Sequence, residues 1–163
     1  MTATSGVGPR ALYFEDFRPG DRHAGGAHHV TEAEIREFAH RYDPQIFHVD
    51  TEGARDSIFG GLVASGLHTL CVGSRLFTDL GIYHGTLLGG VEMENLRFLH
   101  PVRPGDMLRI EAEVISTRPS HTKPDRGILR IATNVFNQHD EVVMTWISTE
   151  LIKRRNRGSP PAG

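Results

Sequence analysis

Apolar residues in the first third of the chain recur at helical spacing. Between residues 31 and 42 they follow the sequence TEAE, which has the Thr-x-x-Glu form of a capping box. This pattern predicts a helix that begins at Thr31, with the Glu34 carboxylate reaching back to the Thr31 amide. We expect the helix to end near Tyr42, because Pro44 disfavours helical geometry at the residue before it.

The longest apolar segment is LVASGLHTLCVGSRLFTDL, which covers residues 62–80. It is apolar almost all the way round, which is typical of a buried helix. We therefore predict one long helix across residues 62–80. A shorter helix is expected just before it, beginning at Asp50 as the capping residue and ending near Asp56.

After Gly81 the period of the pattern changes from helix to strand. Apolar and polar residues alternate in MLRIEAEV, residues 107–114, which predicts a strand with one buried face. Further strands are predicted at residues 28–30, 86–95, 96–102, 128–136 and 142–152. One buried helix followed by successive strands predicts an α+β fold, with a curled antiparallel sheet wrapped around the helix in the arrangement called a hotdog.

Composition and charge narrow the class of protein. The chain has 163 residues and a formal net charge of -2, which argues against a nucleic-acid-binding protein. No apolar run approaches the roughly 20 residues that a membrane-spanning helix needs, and a single cysteine, Cys71, excludes an internal disulfide. We expect a cytoplasmic protein with one domain at residues 11–153, between disordered termini at residues 1–10 and 154–163.

The stretch YDPQIFHVD, residues 42–50, is the best candidate for chemistry. It places Asp43 five residues before His48, with Tyr42, Ile46 and Phe47 available to form an apolar wall that excludes water. Histidine changes its charge near neutral pH, and an apolar wall shifts the pKa values of titratable groups. The alternative is that Asp43 only begins a turn and that His48 is an ordinary histidine. No metal-binding motif is present, so we expect no metal.

Three segments resemble the MaoC-like dehydratases, which are relatives of the (R)-specific enoyl-CoA hydratases. They are YDPQIFHVD, FGGLVASGLHT and LRFLHPVRPGD, and the resemblance extends from Phe14 to Lys153. This chain departs from the family's pattern in the first segment, where Gln45 and Ile46 replace the usual Asn-Pro. These substitutions leave the spacing from Asp to His intact. They bear on which acyl groups the site accepts as substrate.

The resemblance assigns roles to individual residues. Asp43 and His48 correspond to the hydration dyad, and the Gly66 amide corresponds to the group that binds the thioester carbonyl. Ser65, which stands where the family usually has histidine, and Ser74 are expected to contact the substrate. The sequence leaves open which member of the dyad is the acid and which the base.

The function implied by this resemblance is the reversible addition of water to a 2-enoyl-CoA, giving a 3-hydroxyacyl-CoA of fatty acid metabolism. No cofactor beyond the acyl-CoA substrate is expected, and the family pairs its subunits, so we expect a homodimer or a higher homo-oligomer. Two alternatives remain. A hotdog thioesterase needs an acidic residue on the central helix, which has none before Asp79. A non-catalytic acyl-CoA-binding subunit would retain the fold without activity.

Overall fold

A computed structural model describes residues 11–155 of the chain. The helical elements are a 3₁₀ turn (Phe14–Asp16), α1 (Glu32–Tyr42), α2 (Ile46–Val49), α3 (Thr51–Arg55) and α4 (Gly66–Asp79). The strands are β1 (Arg22–His29), β2 (Leu87–Phe98), β3 (Met107–Pro119), β4 (Arg126–Phe136) and β5 (Val142–Lys153).

The strands form a single antiparallel sheet in the order β1-β3-β4-β5-β2. Strands β1 and β2 are therefore its two edges. The helix α4 packs against β1 and β3 on one face of the curled sheet. The predicted α+β class and the hotdog arrangement are confirmed.

The core lies between α4 and the inner face of the sheet. The alternation predicted for β3 is present, since Leu108, Ile110 and Val114 are all fully buried. Val72 and Leu76 of α4 pack into the same core as Leu108 and Ile110. These contacts pack α4 against β3.

The long helix begins later than the sequence predicts. Residues 62–65 are not helical, and α4 starts at Gly66. The backbone amide of Val63 bonds to the Phe47 carbonyl at 3.0 Å, and that of Ala64 bonds to the Val102 carbonyl at 2.8 Å. Because these amides bond to neighbouring segments, residues 62–65 run as an extended strap before the helix. The prediction of helix across 62–65 was wrong.

The predicted cap of α1 is half present. The Thr31 hydroxyl accepts a hydrogen bond from the Glu34 amide at 3.2 Å, as predicted. The Glu34 carboxylate does not return to the Thr31 amide, since it bonds to His28 Nε2 at 2.8 Å. The segments predicted as separate strands at 86–95 and 96–102 form one strand, β2, which ends at Phe98, so the prediction of strand at 99–102 was wrong.

The two predicted disordered termini fall mostly outside the described residues, at 1–10 and 156–163. Arg154 and Arg155 were assigned to the C-terminal tail by the sequence, and both are bonded in the structure. Arg154 Nε donates to Glu15 Oε1 at 3.0 Å, and Arg155 Nη1 donates to Asp16 Oδ1 at 2.7 Å.

Candidate active site

Asp43 and His48 are brought together by the break between α1 and α2. Asp43 ends α1 with a non-helical backbone, at φ -153° and ψ 69°, as expected for a residue before proline. The chain then forms the single turn α2, which carries His48. His48 Nε2 lies 3.5 Å from Asp43 Oδ2, and the side chains are 8% and 26% exposed respectively.

A hydrogen bond from the other ring nitrogen of His48 determines the tautomer of the neutral imidazole. Nδ1 lies 2.7 Å from the backbone carbonyl oxygen of Val63. A carbonyl oxygen only accepts hydrogen bonds, so Nδ1 carries a hydrogen. In the neutral ring, Nε2 then has a free lone pair, and it is this nitrogen that faces Asp43.

Ser65 connects Asp43 to the start of α4. Its hydroxyl donates to Asp43 Oδ2 at 2.7 Å and accepts from the Leu67 amide at 3.2 Å. The side chain is 1% exposed. Ser65 also lines the cavity described below, and the substrate contact expected of it from the sequence stays a prediction.

Gly66 is the first residue of α4, so its amide is one of the unpaired donors of the first turn. Among the described residues no acceptor bonds to it. An ideal Cβ placed on Gly66 would lie 2.5 Å to 2.9 Å from three carbon atoms of the Phe98 ring. Glycine therefore leaves room for this ring, and its bare amide can meet a developing negative charge.

A cavity of about 390 Å³ joins these groups, since Asp43, His48, Ser65 and Gly66 all line it. The remaining walls are mostly apolar, and the aromatic ones are Phe47, Phe59 and Phe98. Phe47 contacts the His48 ring edge-on, with the centroids 4.5 Å apart. Tyr42 and Ile46, expected from sequence to form part of this wall, are 62% and 55% exposed and do not line the cavity.

Ser74 is not brought to this cavity. It lies eight residues beyond Gly66 on α4 and lines a second cavity of about 150 Å³. Tyr83 and Glu150 line that cavity too, and burial raises the pKa of each. Within the described range, the Tyr83 hydroxyl has no hydrogen-bond partner.

A second polar cluster ties together the elements around the site. The Glu34 carboxylate of α1 lies 2.8 Å from His28 Nε2 on β1 and 3.6 Å from His68 Nε2 on α4. The Phe38 ring stacks on the His68 ring at 4.9 Å. Burial lowers the pKa of His68, with Glu34 opposing that shift. The cluster links α1, which ends immediately before Asp43, to the first turn of α4.

The described residues contain neither a metal-binding cluster nor a membrane-spanning helix. No group of three or more His, Cys, Asp or Glu residues between 11 and 155 has the geometry to hold a metal ion. In the same range, every helix is too short or too polar to cross a bilayer.

Two contributions to the site could not be read from the sequence. The Val63 carbonyl accepts a hydrogen bond from His48. Because every residue has a backbone carbonyl, the residue type at position 63 does not predict this bond. Phe98 covers Gly66 from a strand more than thirty residues away. The apolar run of the LRFLHPVRPGD segment was the one available signal for that contact.

Comparison with known families gives a match over most of the chain. The family model described as MaoC like domain matches residues 19–134. The uncharacterized protein YdeM of Bacillus subtilis strain 168 is 35% identical over 125 residues, which cover 77% of this chain and 87% of YdeM.

One solved structure and one longer relative complete the comparison. The crystal structure of the MaoC-like dehydratase from Rhodospirillum rubrum matches with a TM-score of 0.83 and 40% identity, covering 89% of this chain and 99% of that one. The mesaconyl-CoA hydratase of Cereibacter sphaeroides is 26% identical over 152 residues, 91% of this chain. The aligned region is 43% of that relative's own length.

Proposed function

Because the chain belongs to the MaoC like domain family, we propose that it adds water reversibly to a 2-enoyl-CoA thioester to give a 3-hydroxyacyl-CoA. One observation carries this proposal. A histidine nitrogen with a free lone pair and a carboxylate oxygen lie 3.5 Å apart in an apolar cavity that also exposes an unpaired helix amide.

The pair of acceptors suits one water molecule. A water that donates its two hydrogens to His48 Nε2 and Asp43 Oδ2 is within hydrogen-bond reach of both and turns its lone pairs toward the cavity. With Nδ1 held by Val63, His48 is the base that takes a proton from this water. Asp43 stabilises the imidazolium that forms, as a carboxylate beside a cation does.

In the chemical step a single proton moves from the water to His48 and then to C2 of the substrate. The water oxygen bonds to C3 of the enoyl group while its proton moves to His48 Nε2. The electrons of the double bond move through C2 onto the thioester oxygen as an enolate. His48 returns the proton to C2 and restores the carbonyl, so both additions occur on the same face. General base catalysis of this kind contributes typically 10²–10⁴-fold.

The Gly66 amide meets the enolate oxygen. It lies at the N-terminus of α4, where unpaired amides and the helix dipole favour negative charge. The cavity around it is largely apolar, so the interaction is stronger there than in water. Removing a single such donor costs about 10²–10³ in rate in other enzymes.

The names of two similar proteins agree with this reaction class. The relative from Cereibacter sphaeroides is named as a hydratase of mesaconyl-CoA, which is an acyl-CoA. The solved structure from Rhodospirillum rubrum is named as a dehydratase. Water addition and water removal are the two directions of the reaction proposed here.

We also propose that the protein acts as a homodimer or higher oligomer. Strand β2 is an edge of the sheet and carries large apolar side chains in contact with solvent, among them Leu87, Val91 and Met93 at 44%, 58% and 44% exposure. Long apolar edge strands are normally covered. A second copy of the chain would cover this one.

The decisive experiment is incubation of the purified protein with crotonyl-CoA and with longer 2-enoyl-CoAs. Hydration removes the absorbance of the conjugated thioester without releasing thiol, and this is the expected result. Release of free thiol would instead identify a thioesterase. If neither signal appears with any substrate, the hydratase proposal is wrong.

A further inference from the structure

We propose that Ser65 is a positioning residue that acts through Asp43, holding its carboxylate where it shares one water with His48. This inference rests on the proposed hydration reaction and goes beyond it. It gives Ser65 a task different from the substrate contact that the sequence suggested. The Ser65 hydroxyl is within 2.7 Å of Asp43 Oδ2, and its only hydrogen is used in that bond.

The carboxylate of Asp43 has little else to hold it. Among residues 11–155, no lysine or arginine lies within ion-pair distance of it, and Ser65 is the only strong hydrogen-bond donor to it. His48 Nε2 is 3.5 Å away and carries a lone pair rather than a hydrogen in the neutral ring. Without Ser65 the carboxylate is therefore free to rotate away from the histidine.

The surroundings of Ser65 restrict its movement. It is 1% exposed and ends the extended strap of residues 62–65. The strap is fixed from both sides, by Phe47 through the Val63 amide and by Val102 through the Ala64 amide. A rigid donor on a fixed strap selects one orientation of the carboxylate.

The same strap also holds the other member of the pair. The Val63 carbonyl accepts from His48 Nδ1, and two residues later the Ser65 hydroxyl donates to Asp43. The next residue, Gly66, supplies the unpaired amide. Four consecutive residues thus set the positions of the base, its carboxylate partner and the proposed oxyanion donor.

Ser65 has a second, purely structural task that an experiment must separate from the first. It is the N-cap of α4, accepting from the Leu67 amide at 3.2 Å. At an N-cap, alanine costs typically about 1 kcal/mol in stability, whereas glycine costs only a few tenths. Ser65→Gly therefore removes the bond to Asp43 while keeping most of the helix start, and Ser65→Ala removes both.

The test compares kcat, KM and melting temperature for crotonyl-CoA hydration by the wild type, Ser65→Gly and Ser65→Ala. A hydrogen bond to a charged group is worth roughly tenfold to a hundredfold, so we expect both variants to lose that factor in kcat with little change in KM. Only Ser65→Ala should lose much stability. The matched control is Thr31→Gly, which removes the N-cap of α1 far from Asp43 and should leave kcat unchanged.

A double-variant cycle completes the test. If Ser65 acts through Asp43, Ser65→Gly should change kcat by less than about twofold in an Asp43→Asn background. Additive losses would overturn the proposal, as would a Ser65→Gly variant with full kcat or one whose loss is entirely in KM. A wild-type protein without any hydration activity would remove the proposed function, and this inference with it.

Discussion

At the scale of single residues, the chemistry depends on which atoms are already occupied. His48 Nδ1 is committed to the Val63 carbonyl at 2.7 Å, so only Nε2 is available to a water. Asp43 has one oxygen that accepts from Ser65 at 2.7 Å and still faces Nε2. In the proposed reaction these contacts favour His48 as the base, a choice that the spacing of Asp43 and His48 in the sequence left open.

The first prediction concerns His48 as the base. His48→Gln keeps a donor for the Val63 carbonyl but has no basic nitrogen, so we expect hydration of crotonyl-CoA to fall at least about 10²-fold. Asp43→Asn should fall by a similar factor with the fold retained. His100→Ala is the matched control, because His100 lines the same cavity but is exposed. A larger loss in the control than in His48→Gln would contradict the assignment.

The second prediction concerns the Gly66 amide. Gly66→Ala places a methyl group beside the amide and also against the Phe98 ring, which is 56% exposed and free to turn away. We expect a folded protein whose hydration rate is lowered about 10²-fold, the usual effect of losing one oxyanion donor.

The Phe98→Ala background separates the two effects of that methyl group. If Gly66→Ala still lowers the rate there, the methyl itself blocks the amide, as we expect. Recovery of activity would show that the displaced ring was the cause and would remove the oxyanion role of Gly66. Gly73→Ala is unsuitable as a control, since its Cβ would meet Trp146 and Val135 at 3.0 Å.

At the scale of elements, α1, α3 and β3 could be predicted because the local sequence pattern determines them. The end of α1 before Pro44 and the alternation of residues 107–114 both follow from the sequence. The extended strap at residues 62–65 could not be predicted, because its apolar residues fit a helix equally well. Only the tertiary bonds from Phe47 and Val102 make it extended, and those bonds also bring Ser65 to Asp43.

The third prediction concerns the contact between α1 and α4. Burial lowers the pKa of His68 below its ordinary value of 6.5, while Glu34 raises it and His28 lowers it. The unfolded chain therefore binds a proton near that value before the folded one does, and the free energy of unfolding falls as pH decreases from about 6.5 to the folded pKa.

Melting temperatures between about pH 7.5 and 5 measure this effect, because the unperturbed histidine pKa lies inside that window. His68→Gln should show a shallower loss of stability on acidification than the wild type. Some slope should remain, since burial also lowers the pKa of His23. His121→Gln, at an exposed position, serves as the control and should keep the wild-type slope. An unchanged slope in His68→Gln would contradict the prediction.

At the scale of the whole molecule, the two edge strands of the sheet differ in length and in the apolar side chains that they expose. β1 is short and covers α4, whereas β2 is twelve residues long and exposes apolar side chains along its length. Phe98, which covers Gly66, is the last residue of β2. The edge strand β2, which exposes the apolar side chains, therefore ends at the cavity of the candidate site.

The last prediction is that a second copy of the chain covers β2. We expect the protein to sediment at micromolar concentration with at least twice the chain mass of 18.1 kDa. Val91→Lys puts a charge on the edge, which is how natural proteins prevent strand pairing. It should yield monomers, and activity should fall with dimer content because Phe98 lies on the same strand. Ile115→Lys is the matched control, since Ile115 is an exposed apolar residue on β3. A wild-type protein that is monomeric and still hydrates crotonyl-CoA would refute the idea that activity depends on pairing at β2.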